Sequence, residues 1–326
     1  MTKRTWIVLT ALVLAATVAL VVTLTRTSSP SDVAKKLSLL PAKSVAVVGL
    51  DLKVFLTPAT RDVVTQGLAD LGFRPIDGFD PMTLDRVLGA KLPQGWGIIL
   101  NGRFNAEKVI RALAERLRCD ARTDAGFGCV IQDPAANLHV ALLPLDENTF
   151  VIGDEAGARA LKAAYLGRAP RLTEGPVFAM LGEVDDDAAI VAAGFDFTAR
   201  GATKRGGAFS LSLADGLDVV VYAEGLPKGN LSELARRVET LRMGLDFVSP
   251  EMLKGMVRGR ARELGLPKGL PLDAFIETGL SLGQSLKVDL KRADALRATA
   301  SASLPKDATL MIVTTVMAGL RLFARR

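Results

Sequence analysis

Leu138-His139-Val140-Ala141-Leu142-Leu143-Pro144-Leu145-Asp146-Glu147-Asn148-Thr149-Phe150-Val151-Ile152-Gly153 is the passage on which the fold turns. It holds two short apolar runs, Leu138–Leu143 and Phe150–Gly153, parted by the polar link Leu145–Thr149. Runs of this length and composition, bounded by turn formers, read as strands. Strands joined through so short a link must be antiparallel, because parallel neighbours need a crossover of about a dozen residues or more. Asp154 follows at once in the position of a helix N-cap and opens a helical pattern over Glu155–Leu166.

The same reading extends in both directions. Further strands are expected at Val45–Leu50, Gly97–Asn101, Val130–Gln132, Ala189–Phe195, Ala208–Leu213, Val219–Ala223 and Ser285–Leu290. Ala214-Asp215-Gly216-Leu217, with Asp-Gly at its centre, is a second hairpin link. Ala106–Arg118 sets Val109, Ile110, Leu113 and Leu117 on one helical face and Glu107, Arg111, Glu115 and Arg118 on the other, with Asn105 as its cap. Leu231–Met243 carries the stripe Leu231, Leu234, Val238 and Leu241, with Asn230 or Ser232 near its cap, while Thr60–Leu71 and Glu251–Leu264 are fainter helices. Hairpins interrupted by single helices define an α+β protein with helices packed on antiparallel sheet.

Faint internal echoes accompany this pattern. Leu40-Pro41, Leu92-Pro93 and Leu304-Pro305 each feed an apolar run, and a strand, polar turn and helix recur over Leu100–Leu117, Val221–Leu241 and, more loosely, Val288–Ala298. Two related modules explain the echoes, as does the general use of proline at strand entries. The organisation expected is an anchor over 1–26, a linker over 27–36, a first αβ module over 37–173, a second over 174–307, and an apolar, basic C-terminal segment over 308–326.

The anchor rests on Trp6–Leu24, within a run from Thr5 to Thr25 that carries no charge. As a helix such a run covers about 30 Å, the thickness of a bilayer's hydrocarbon core. Trp6 sits at the head-group end, and Lys3 and Arg4 precede the span. A cleaved signal is the competing reading; the run is longer than an ordinary signal core, and Thr25–Pro30 holds no Ala-x-Ala site. Arg26, Lys35 and Lys36 follow the span, so charge alone does not orient it. The short basic tail favours an N-terminus in the cytoplasm and a body outside it. Cys119 and Cys129 flank a polar turn and are candidates for a disulfide in an oxidising compartment.

Ala308–Leu320 is again uncharged, and Leu310, Val313, Val316 or Met317, Leu320 and Phe323 share a helical face ahead of Arg325 and Arg326. Three readings stay open: a core strand with a short helix, a membrane-surface segment, and a short second span.

With the anchor, the stretches Leu40-Pro41-Ala42-Lys43-Ser44-Val45-Ala46-Val47-Val48-Gly49-Leu50-Asp51-Leu52 and Gly97-Ile98-Ile99-Leu100-Asn101-Gly102-Arg103-Phe104-Asn105-Ala106-Glu107-Lys108-Val109 resemble uncharacterised bacterial membrane-anchored extracytoplasmic proteins with duplicated αβ modules. The resemblance implies a place in the envelope and no catalytic or binding residue.

Chemistry is sparse. The chain has 326 residues, one His and two Cys, which leaves no Cys-based zinc site without help from His139. No Gly-x-Ser-x-Gly, His-Glu-x-x-His, phosphate-loop or Cys-x-x-Cys motif occurs. Glu183-Val184-Asp185-Asp186-Asp187 is the one acidic cluster, and its spacing matches no calcium loop. A net charge of +6, with Arg200, Lys204 and Arg205 in one segment and Arg258, Arg260 and Arg262 in another, admits nucleic acid, but only 5% of residues are aromatic and none interleave with these cations. The expectation is a single-pass protein of a bacterial inner membrane with a periplasmic body. It uses no cofactor, metal or catalytic residue, touches lipid through Trp6–Leu24, does not bind nucleic acid, and binds or supports an envelope protein partner. The alternatives are a carrier or sensor of an apolar ligand held between sheet and helices, and a hydrolase using carboxylates that the sequence does not single out.

Overall fold

The computed structural model describes residues 32–70, 79–117, 128–133, 138–196, 205–213, 216–225, 231–260, 272–292 and 294–303. Among these described residues there are eleven strands, β1 (Ala46–Asp51), β2 (Leu84–Leu92), β3 (Gly95–Gly102), β4 (Cys129–Asp133), β5 (Leu138–Asp146), β6 (Thr149–Gly153), β7 (Ile190–Asp196), β8 (Arg205–Ser212), β9 (Leu217–Glu224), β10 (Lys287–Arg292) and β11 (Ala295–Ala302). The helices are α1 (Val33–Leu37), α2 (Arg61–Asp70), α3 (Ala106–Leu117), α4 (Glu155–Tyr165), α5 (Pro176–Leu181), α6 (Leu231–Asp246), α7 (Pro250–Arg260) and α8 (Leu272–Ser285). All the strands join one sheet, in the order β10-β11-β9-β8-β7-β1-β2-β3-β6-β5-β4. Every pairing in it is antiparallel. The α+β class holds.

The stretch Leu138–Gly153 forms β5, a turn at Glu147-Asn148, and β6, with Leu143 opposite Val151. Asp154 caps α4 as expected, its carboxylate accepting from the Gly157 amide at 2.7 Å and the Trp96 amide at 2.6 Å. Asn105 caps α3 in the same way, accepting from the Lys108 amide at 2.9 Å.

Alternation along the strands splits the apolar residues between two faces. Val47, Leu88, Ile99, Ala141, Val151, Val191, Ala208, Val220 and Tyr222 share one face with Val33 and Leu37 of α1, Ala158 and Leu161 of α4, and Val177 and Met180 of α5. On the other, Leu50, Phe55, Leu211 and Leu217 form one cluster, and Phe104, Ile110, Cys129, Leu142 and Phe150 a second. In that second cluster Phe104 sits edge-to-face with both Phe79 and Phe150 at 5.6 Å. The helix at Glu155 lies so close to the sheet that a Cβ on Gly157 would stand 2.1 Å from the Trp96 carbonyl oxygen.

Several expectations need correction. The linker assigned to 27–36 is too long: Val33 begins a helix, and Val33 and Leu37 are fully buried, so the folded body starts before Leu37. Their packing needs the absent side chain of Gly49, where a Cβ would lie 2.3 Å from Val33 Cγ1. Two strands lack a strand signature. In β2, Asp85 and Arg86 break the apolar run; Asp85 faces Lys53 and Arg103, and Arg86 pairs with Asp32. In β11, Ala-Leu-Arg-Ala-Thr-Ala-Ser-Ala favours helix locally, and the loose helical reading of Val288–Ala298 fails there because β9 and β10 satisfy its backbone on both edges. The helices α1, α5 and α8 were also not expected.

The spans Trp6–Leu24 and 308–326 lie outside the described residues, as does Cys119. No described helix is long and apolar enough to cross a membrane.

The α1 contact yields a test. Gly49→Ala is expected to cost about 2 kcal/mol of stability through overpacking. Much of that loss should be recovered in the double variant with Val33→Ala, measured by denaturant unfolding. Strict additivity of the two changes would detach α1 from the sheet.

Candidate functional site

The residues singled out for chemistry do not converge. His139 is an exposed residue of β5 opposite Gln132. Glu183–Asp187 forms the expected acidic turn ahead of β7. There the Asp185 amide donates to Ser210 Oγ at 3.0 Å, and the Asp185 carboxylate stands 3.7 Å from Arg297. Burial pushes the Asp185 carboxyl above its ordinary range, against the opposing pull of Arg297 and the Ser212 hydroxyl. Among the described residues no group of three or more His, Cys, Asp and Glu is placed to hold a metal ion. Cys129 is fully buried on β4. Arg205 opens β8, exposed, and Arg258 is tied to Asp273; Arg200, Lys204 and Arg262 fall outside the described residues.

The most unusual surface belongs to the helices that carry the chain from β9 to β10. Helix α6 runs along β10, α8 packs on β11, and α7 rests on α8. A helix on a protein surface normally turns its apolar stripe inward and its charges to water. On α7 the division is incomplete: Leu253 and Val257 are half-buried, but Lys254 is buried too, and two methionines are left outside. Glu251, Lys254 and Arg258, at three- and four-residue spacing, share a side. Lys254 sits between Glu251, at 2.7 Å, and Glu277 of α8, at 2.5 Å. Arg258 pairs with Asp273, also on α8. Beside these ion pairs, α7 presents Met252 and Met256 to solvent, 55% and 57% exposed. Gly255 lies between them in open space.

Exposed apolar residues also stand on α6 and the turn after it. Phe247 is 90% exposed and Met243, one helical turn before it, 47%. Leu241 is 68% exposed, which corrects the expected stripe on this helix. Leu231, Val238 and Leu245 are the residues turned toward the body, and Leu245 reaches the backbone of Gly283 on α8. The Gln284 amide fixes that contact by donating to the Leu245 carbonyl at 3.1 Å.

Cations surround the apolar residues, but they are paired. Arg236 and Arg237 both hold Glu233, at 2.9 and 2.8 Å, and Arg242 holds Glu239 at 2.6 Å. Hydrogen bonds from Arg236 and Arg237 pull the Glu233 carboxyl below its usual range, and those from Arg242 do the same for Glu239. Lys254 is held above the usual lysine range by its hydrogen bonds to Glu251 and Glu277. The sequence carries only a faint sign of these exposed residues. Its signal is two methionines four apart, Met252 and Met256, and a Phe four residues after Met243, which by spacing alone look like core positions.

No protein-family model matches the chain, and no curated protein matches it in sequence. Among solved structures it is similar to crystal form III of TP0453, a Treponema protein, at a TM-score of 0.42 and 6% identity, over 86% of this chain and 97% of that one. Crystal form IV of TP0453 gives a TM-score of 0.39 and 7% identity, over 87% and 96%. A likeness of this strength assigns no function.

The Lys254 clamp can be tested directly. Its ammonium is charged in folded and unfolded chains alike below the ordinary lysine pKa, so its stabilisation is complete there and is lost only as pH rises through the higher folded-state value. At neutral pH, Lys254→Met should speed hydrogen exchange across α7 several-fold and leave the sheet amides unchanged. Undiminished protection of α7 would show that the clamp does not hold the helix.

Proposed function

We propose that the chain is a membrane-anchored, extracytoplasmic, non-catalytic protein of the bacterial envelope, and that its α6–α7 surface docks a partner protein. The observation that carries this reading is the exposure of large apolar side chains on these helices. Lys254 and Arg258 pair with α8, while Met252 and Met256 of α7, and Met243 and Phe247 of α6 and the turn after it, stand in water. Contiguous exposed apolar residues rimmed by polar ones mark interaction surfaces. Methionine suits such a surface because its flexible thioether adapts to irregular partners. Core residues of protein interfaces are enriched in Met, Phe and Arg, and the rim is polar.

The charge pattern favours a protein over a lipid surface. An anionic bilayer is drawn by unpaired cations near the apolar residues. Here Arg236, Arg237 and Arg242 are balanced by Glu233, Glu239 and Asp246 on the same helix. The anchor supports the reading by another route. A tether in the membrane raises the effective concentration of the body near any membrane-bound partner, so a modest docking surface suffices. Export into an oxidising compartment is consistent with a Cys119–Cys129 bridge.

Two experiments follow. A photo-crosslinking residue at Phe247, in the full chain in its native membrane, should give discrete protein adducts that disappear when Met252→Asp and Met256→Asp are added. Adducts to lipid alone would overturn the proposed partner. Separately, the intact mass of the chain recovered without reductant should be two hydrogens below that of the reduced chain. Equal masses would remove the bridge and its support for export.

A further inference from the structure

Three helices share one face of the sheet. Val33 and Leu37 of α1, Ala158 and Leu161 of α4, and Val177 and Met180 of α5 belong to one buried cluster. Helix α1 packs on β1, β2 and β7, α4 on β2, β3, β5 and β6 to one side of it, and α5 on β7 and β8 to the other. The link from α4 to α5 runs beside the chain that leaves α1. Its Leu172 amide donates to the Leu40 carbonyl at 2.8 Å, and its Pro170 carbonyl accepts from the Ala42 amide at 3.0 Å. Helix α8, on which α7 rests, lies on the opposite face, where Ala274 and Leu282 pack against the Leu50 cluster.

The outer side of the α1–α4–α5 layer is rich in cations. Residues 33–44 and 156–181 hold seven Lys and Arg and a single carboxylate, Glu174. Two of the seven are engaged within the fold: Arg159 pairs with Glu155, and Arg171 donates to the Ala164 and Tyr165 carbonyls at the end of α4. The other five, Lys35, Lys36, Lys43, Lys162 and Arg168, form no ion pair among the described residues. Lys35, Lys43 and Arg168 are exposed. Burial, and then the charges of Arg168 and Arg159, hold the Lys162 ammonium below the usual lysine range, as follows where cations crowd without a counter-ion. The same layer exposes two large apolar side chains, Leu166 at the end of α4 and Phe178 on α5. Unpaired cations beside exposed apolar groups are what an anionic bilayer attracts. Helix α6 differs in this respect, because its cations are balanced by its own carboxylates.

We propose that this layer lies against the head groups of the membrane that holds the anchor, and that its unpaired cations bind anionic phospholipid there. The proposal rests on the Trp6–Leu24 anchor proposed above. Only eight residues, 25–32, separate that run from Val33. Fully extended they reach about 28 Å at most, so α1 stays close to the bilayer surface. Because α1 itself lies on this face of the sheet, the short tether brings this face to the bilayer ahead of the opposite one. The surface potential of anionic lipid then acts on Lys35 and Lys36 of α1 and on Lys43, Lys162 and Arg168 beside it. Helices α7 and α8, on the far face, are turned away from lipid, which leaves Met252 and Met256 for a protein.

The full chain in vesicles of phosphatidylcholine with phosphatidylglycerol, carrying a photo-crosslinking residue at Phe178, should form lipid adducts. These should fall several-fold in vesicles of phosphatidylcholine alone, at high salt, or in the triple variant Lys35→Glu, Lys43→Glu, Arg168→Glu. Should the triple variant fail to fold, the dependence on lipid charge and salt decides without it. Co-flotation of the chain with the vesicles but no lipid adduct at Phe178, or adducts indifferent to lipid charge and salt, would overturn the docking and leave the anchor standing. A photo-crosslinking residue at Met252 that captures lipid as well as Phe178 does would overturn the orientation. Failure of the full chain to float with vesicles of phosphatidylcholine alone would overturn the anchor, and this proposal with it.

Discussion

The pairing of β1 with β7 holds the two halves together. Five residue pairs, from Ala46 opposite Gly194 to Leu50 opposite Ile190, join a strand near the start of the body to one from its middle. Without that seam there would be two small sheets, each with an open central edge, and such edges invite pairing with other chains. With it, the cluster on one face and the Leu50 cluster on the other run across the join. Val47 meets Val191 and Ala193 on one face, and Leu50 meets Ile190 on the other. Helix α1 packs on β1, β2 and β7 together and so covers the seam itself. The small residues at this join, Gly49 under α1 and Gly194 against Ala46, are what allow so close an approach.

The distribution of charge sets the helices of the second half apart from those of the first. Helix α3 buries Val109 and Ile110 under its own length and leaves Glu107 and Arg111 outside. Helix α7 turns Lys254 and Arg258 toward α8 and leaves its methionines exposed. Exposed methionines gain no burial, so this arrangement does not serve the stability of the isolated chain. A surface that waits for another apolar surface accounts for it. The ion pairs then have a positional role: they fix the register of α7 on α8, and so which side of α7 faces outward.

Much of the sheet is legible in the sequence, for a local reason. Strands such as β5, β6 and β9 consist of Val, Ile, Leu and Phe between short turns, and Asp154 and Asn105 are caps whose hydrogen bonds reach only three residues. What escapes is what long-range contacts decide. β11 is alanine-rich and becomes a strand only because β9 and β10 flank it. α1 is a single turn and a half whose helical state depends on burying Val33 and Leu37 against Gly49. The exposed residues of α6 and α7 are the least legible feature. Met252 and Met256 have the spacing of core residues, and what leaves them outside is how α7 sits on α8, with Lys254 and Arg258 paired to Glu277 and Asp273.

The proposed arrangement is an anchored body outside the cytoplasm whose α6–α7 surface is covered by a protein. Labelling of single introduced cysteines with a membrane-impermeant maleimide tests it most directly, with Gln94→Cys in the exposed β2–β3 turn as reference and Met252→Cys on the surface. The account predicts that Gln94→Cys reacts from outside intact cells as fast as in the purified chain. Met252→Cys should react far more slowly in cells than after purification. Silence of Gln94→Cys until the membrane is breached, or equal rates for Met252→Cys in both settings, would contradict it.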